Sequence, residues 1–203
     1  MTDVARTPSV GRMALLAPAR TPVRTAADLN RLRAAVLGAN DGVVSVAAAV
    51  LGVAGAAPAA HVLVVAGVAV LVGGALSMAA GEYVSVSSQR DAERAAAAAG
   101  ATRADRTLDD EEHVNPWQAA LASCAAFTVG GLVPLLAVLV APAGALRLPV
   151  TVVAVVAALV LTGVLSARFG GAPVVRAVLR NVLGGGVAMA VTYGVGTLVG
   201  SAL

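Results

Sequence analysis

The chain has 203 residues, of which 59% are hydrophobic and 12% charged, and its mean hydropathy is +0.88. Soluble domains carry about 25% charged residues, and several apolar runs here exceed the roughly 18–20 residues that cross a bilayer, so a soluble globular domain is excluded in favour of an all-α membrane protein built as one bundle. The net charge of +3 comes from 14 basic residues, all of them arginine. Their clustering at helix ends accounts for the high pI, and no nucleic-acid partner is expected. The single cysteine, Cys124, permits neither an internal disulfide nor a thiolate metal cluster.

Residues 1–30 hold Arg6, Arg12, Arg20 and Arg24 among prolines and small residues and read as a disordered cytoplasmic arm. The apolar run at 13–19 is at the short limit for a signal-peptide core, and the run after it opens a spanning helix with its own arginines. Residues 31–203 read as a five-helix transmembrane domain. The first helix is expected over 32–57, ending near Gly55 and Pro58, and the second over 61–89. The second is too long for the hydrocarbon core, so its last turns, from Val84, should stand in the cytoplasm. A short polar connector follows over 90–115. The third helix should start at Pro116, with Asn115 as N-cap, and run to Val140 with a kink at Pro134. Trp117 lies where an interfacial anchor belongs. The fourth and fifth helices are expected over 149–168 and 174–202.

Orientation follows from the arginines. Six precede or open the first helix, four lie between the second and third, and three flank the turn between the fourth and fifth; only Arg147 falls on the other side. The positive-inside rule then puts the N-terminus in the cytoplasm and the C-terminus on the opposite side.

Two acidic residues lie inside apolar helices, Asp41 and Glu82. A carboxylate there is unfavourable by roughly 2.5–3.5 kcal/mol on insertion scales, and one that is kept faces a partner, a cavity or an ion. On the first helix Gly38, Asp41, Ser45 and Gly52 fall near one face; on the second Gly74, Met78, Glu82, Ser85 and Gln89 do. The glycines, including the pairs Gly38–Gly42 and Gly196–Gly200, are equally explained by close helix packing. The carboxylates have a plainer reading as structural hydrogen-bonded groups. Met78 lies one turn before Glu82. A soft thioether near hard carboxylates suits a borderline transition metal such as Fe²⁺ better than Mg²⁺ or Ca²⁺, although a lone methionine is commonly core packing. Asn40, Ser45 and Tyr193 are further candidates to line a pathway. The run Asp109, Asp110, Glu111, Glu112, His113 is a weaker candidate for cytoplasmic metal binding, with a solvated cluster ahead of a helix N-terminus as the plainer reading. His61 reads as interfacial. No histidine lies deep in a span, and there is no phosphate-binding loop or HExxH motif, so no enzyme activity is expected.

The segments LRAAVLGANDGVVS, GALSMAAGEYVSVSSQRDAERA and NPWQAALAS with a following VPLL resemble the vacuolar iron transporter family, and GAPVVRAVLRNVLGGGVAMAVTYGVGTLVG is similar to that family's last helix. The resemblance covers residues 31–203. It implies five spanning helices, a homodimer, and export of Fe²⁺ or Mn²⁺ from the cytosol, with proton exchange in the better-known members. It also implies a path that uses the Asp of GANDG and the Met of SMAAGEY, here Asp41 and Met78; the Glu of GEY is Glu82. Many members carry a long Glu-rich cytoplasmic domain between the second and third helices. Here only a short connector separates Gln89 from Pro116, as in the plant nodulin-like branch.

The sequence thus points to a multi-pass transporter in a cell membrane, that of a bacterium, which carries divalent metal ions and protons and needs no resident cofactor. A membrane scaffold assembled through glycine-rich helices is the alternative; it has no need of a thioether beside a carboxylate.

Overall fold

The computed structural model describes residues 26–56, 59–99 and 115–202. They form five helices: α1 (Ala26–Ala56), α2 (Ala60–Ala98), α3 (Pro116–Val140), α4 (Arg147–Gly170) and α5 (Val174–Ala202). All five are long and apolar enough to span a membrane, α1 over Leu32–Ala56. Helices satisfy their own backbone hydrogen bonds, the condition a hydrocarbon solvent imposes. Three threonine hydroxyls do the same: Thr128, Thr151 and Thr192 donate to the carbonyls of Cys124, Arg147 and Ala188, one turn back.

Helix ends fall where local chemistry sets them. Asn115 Oδ1 accepts the Trp117 amide at 3.0 Å, and Pro116, which has no amide hydrogen to leave unpaired, opens α3 as expected. α3 runs unbroken through the buried Pro134. Gly171, at φ +68°, ends α4 in the left-handed conformation that glycine adopts without a Cβ penalty.

Three helices are longer than expected. α1 begins at Ala26 and α2 continues to Ala98, which takes nine residues from the connector placed at 90–115; α4 runs over 147–170. Apolarity marks the membrane-embedded length, whereas helix continues wherever propensity allows. The segment RDAERAAAA is rich in strong helix formers, and Gln89→Glu93 and Arg94→Asp91 side-chain hydrogen bonds of 3.0 and 3.3 Å brace it. At 1.5 Å per residue α2 is about 58 Å long, well beyond a hydrocarbon core of about 30 Å.

α1 is the central element and packs against each of the other four. Val46, Val50 and Ala54 join Leu63, Leu71 and Ala75 of α2 and Phe127, Leu135 and Val138 of α3 in one cluster. Val43, Ala47 and Leu51 join Val155 and Leu159 of α4 and Met189 of α5 in another. α2 touches neither α4 nor α5 among the described residues. Rows of large apolar side chains remain outside, such as Val65, Val72 and Leu76 on α2 and Val187, Val191 and Leu198 on α5. In water such rows would drive association; against lipid tails they are at home.

Close backbone contact holds α1 in place. A Cβ at Gly42 would overlap the Phe127 carbonyl oxygen of α3 and lie 2.9 Å from the Gly131 nitrogen; one at Gly196 of α5 would overlap the Gly52 carbonyl oxygen. The packing reading of these glycines is therefore correct.

Candidate metal pathway

Asp41 lies in the middle of α1, half-buried, and its Oδ1 accepts a hydrogen bond from Ser45 Oγ at 3.0 Å, one turn further along the same face. Val46 and Val50, which meet α2 and α3, are five and nine positions on, rotations of about 140° and 180° around the helix. Asp41 therefore points away from the side of α1 that carries α2. Its own side is shared by Gly38, packed on Ser123 of α3, and Gly52, packed on Thr192 of α5.

Met78 is half-buried on α2 and packs against the cluster formed by α1, α2 and α3, as does Cys124. Its depth is close to that of Asp41. A Cβ at Gly42 would meet the Phe127 carbonyl and one at Gly74 would meet the Phe127 ring, so Asp41 and Gly74 lie at about one level. Met78 is one turn further along α2, about 6 Å away along the axis. The two residues thus lie about one turn apart in depth and on different sides of α1.

Glu82 is one turn beyond Met78 and is buried, at 7% exposure. Its Oε1 accepts from Arg33 Nη2 of α1 at 3.0 Å. An unpaired buried carboxylate is strongly unfavourable, and an arginine at hydrogen-bond distance offsets that. The sequence places Glu82 inside an apolar helix. The structure shows it enclosed by protein, in an ion pair whose members are 49 positions apart and share no local pattern. Both carboxylates thus have hydrogen-bonded partners, as a structural role would also require. At the same end of the bundle Tyr83 meets the exposed ring of Trp117, with centroids 4.8 Å apart and planes at 51°.

Asn40 lies on the face of α1 that carries Val43 and Ala47, towards α4 and α5, and its buried Oδ1 has no hydrogen-bond partner. A weak contact of 3.5 Å from Asn181 to Thr162 joins α5 to α4. The Ser123 hydroxyl, fully buried on α3, is also unpartnered. Sequence reading passed over Ser123 and Arg33; Ser123 could have been found only by knowing that its position faces α1.

Tyr193 is 41% exposed, and its backbone packs on Gly55, about 21 Å along α1 from Asp41. It lies at the other end of the bundle from Glu82. His61 is exposed. The run 109–113 lies outside the described residues, as do residues 1–25 of the arm expected over 1–30, whereas its residues 26–30 are the first turns of α1 rather than disordered. Among the described residues no three His, Cys, Asp or Glu side chains gather as a metal site. Those residues therefore build no closed carboxylate cage, and Asp41, Met78 and Glu82 lie apart at successive levels.

The VIT family model matches residues 32–108 and 96–197. The chain belongs to the VIT family. Among its relatives, vacuolar iron transporter homolog 4 of Arabidopsis thaliana is 46% identical over 173 residues, which cover 84% of each chain. Vacuolar iron transporter homolog 5 of Oryza sativa subsp. japonica is 46% identical over 169 residues, 83% of this chain and 80% of the relative. Vacuolar iron transporter homolog 2.1 of Arabidopsis thaliana is 41% identical over 180 residues, 84% and 82% of the two chains. The segments that carry Asp41, Met78, Glu82 and Arg33 all fall within the matched region of the family.

Proposed function

We propose that this protein transports a divalent transition metal, Fe²⁺ or Mn²⁺, out of the cytosol in exchange for protons. The observation that carries this reading is Asp41, an acidic residue in the middle of the central spanning helix whose described partner is a neutral hydroxyl. A carboxylate so placed binds a cation or a proton but not both fully, which is the minimal basis of antiport. Met78 at a neighbouring depth adds a soft donor that a proton channel or a scaffold does not require. The relatives named as vacuolar iron transporter homologs support a metal as cargo.

In this reading the α1 N-terminus and the α2 C-terminus face the cytoplasm, as the arginine distribution requires. Glu82 admits the ion, and Asp41 and Met78 pass it on. Because Asp41 faces away from α2 within one protomer, a homodimer completes the path most simply, with the Asp41 sides of two α1 helices near a shared axis. The membrane is a cell membrane. The relatives' printed names refer to the vacuole, and cell fractionation separates the two locations. The functional test is uptake of Fe²⁺ or Mn²⁺ by proteoliposomes with a pH gradient imposed and then collapsed. Gradient-dependent uptake is the expected result; no uptake of either ion under any gradient would leave the scaffold reading.

A further inference from the structure

Arg33 and Glu82 tie α1 to α2 one turn from Met78, on the side nearer the α2 C-terminus. The pair is unequal. The Glu82 side chain is 8% exposed and the Arg33 side chain 58% exposed. A buried carboxylate needs a counter-charge, whereas a half-exposed arginine at the start of the apolar span of α1 can carry its guanidinium into the interfacial region without loss of hydration. Glu82 becomes available to another cation when the guanidinium moves away.

We propose that Arg33 is the resident counter-ion of Glu82, and that an entering divalent cation takes Glu82 by displacing it. Arg33 then sets the apparent affinity of this entry step and discriminates by charge. A monovalent ion brings no more charge to Glu82 than the guanidinium it replaces; a divalent ion brings twice as much at similar distance. The inference rests on the reading that Glu82 lies on the ion path. Arg33 acts through Glu82 and is a positioning residue.

The test is Mn²⁺ uptake by the full chain in proteoliposomes, comparing wild type, R33Q, E82Q and R33Q/E82Q. R33Q should lower KM for Mn²⁺ by roughly two- to fivefold, the worth of a partly exposed ion pair. E82Q should raise KM, and R33Q should have no further effect on KM in the E82Q background. A purely structural tie would instead lower protein yield and rate without tightening KM. If E82Q raises KM while R33Q leaves it unchanged or raises it, the displacement model is overturned and the path stands. If E82Q transports with wild-type KM and rate, Glu82 is off the path and both fall. Should R33Q not insert, R33K keeps the charge but not the planar, paired donors; its KM should fall by a smaller factor, and a KM at or above wild type overturns the proposal.

Discussion

Asp41→Asn keeps size and hydrogen-bonding capacity and removes only the charge, so it separates a working carboxylate from a structural one. Transport in proteoliposomes should fall by more than the roughly 10–100-fold that follows loss of a ligand's supporting group, while the detergent-purified protein keeps its helicity and melting temperature. Ser45→Ala removes the 3.0 Å hydrogen bond to Asp41 and leaves the charge, so it should lie within that supporting range. Met78→Leu preserves volume in the cluster around Phe127, and such swaps usually destabilise by less than about 1.5 kcal/mol. Loss of the sulfur should reduce transport of softer ions more than harder ones, read as a lower Cd²⁺-to-Mn²⁺ uptake ratio. Asp41, Met78 and Glu82 were legible as isolated residues because polar or soft groups stand out in an apolar run. Of their partners, Ser45 is local and could be read, but Arg33 is 49 positions from Glu82 and could not.

At the scale of the helix, glycines of one composition have opposite roles. A Cβ at Gly42 would overlap α3 backbone, whereas one at Gly81 on α2 would meet nothing within 4 Å. Gly42→Val should therefore destabilise by about 1–3 kcal/mol or more through overpacking. Gly81→Ala should be neutral or stabilising by up to about 1 kcal/mol through helix propensity. Thermal melts monitored by size-exclusion chromatography in detergent check both signs, and equal effects would show that the α1–α3 contact does not limit stability. Sequence spacing identified the glycine pairs as packing surfaces but could not rank them, because contact depends on which neighbour each one meets. Helix lengths were legible to within the membrane-embedded part. The extension of α2 to Ala98 follows from alanine propensity, a different property from the apolarity used to place its end at 89.

For the whole molecule, orientation is the property with the widest consequence, since it sets the direction of the proposed transport. A cysteine placed at Ala98, at the end of α2, in a Cys124→Ala background should react with a membrane-impermeant maleimide only after cells are permeabilised. Labelling in intact cells would reverse the topology and turn the proposed exporter into an importer. The position suits the test because Ala98 is exposed and lies beyond the apolar part of α2.

The sequence by itself determined the number of spans, the start of α3 at Asn115–Pro116, the extent of α5 and the residues whose chemistry is out of place in lipid. These are local properties: a helix in hydrocarbon satisfies its own backbone, so apolar length and capping residues decide where it lies. Only the tertiary structure decided that α1 is the hub, that Asp41 faces away from α2 and that Arg33 closes on Glu82. α1 turns Val46 and Val50 towards one cluster and Val43 and Ala47 towards the other, two directions about 60° apart around the helix. Val44, Ala48 and Ala49 lie on its other faces, so α1 carries no dominant apolar stripe to orient it. In lipid, moreover, no hydrophobic difference between core and surroundings tells one face from another; close fit at small residues does, and fit exists only once the neighbouring helix is in place.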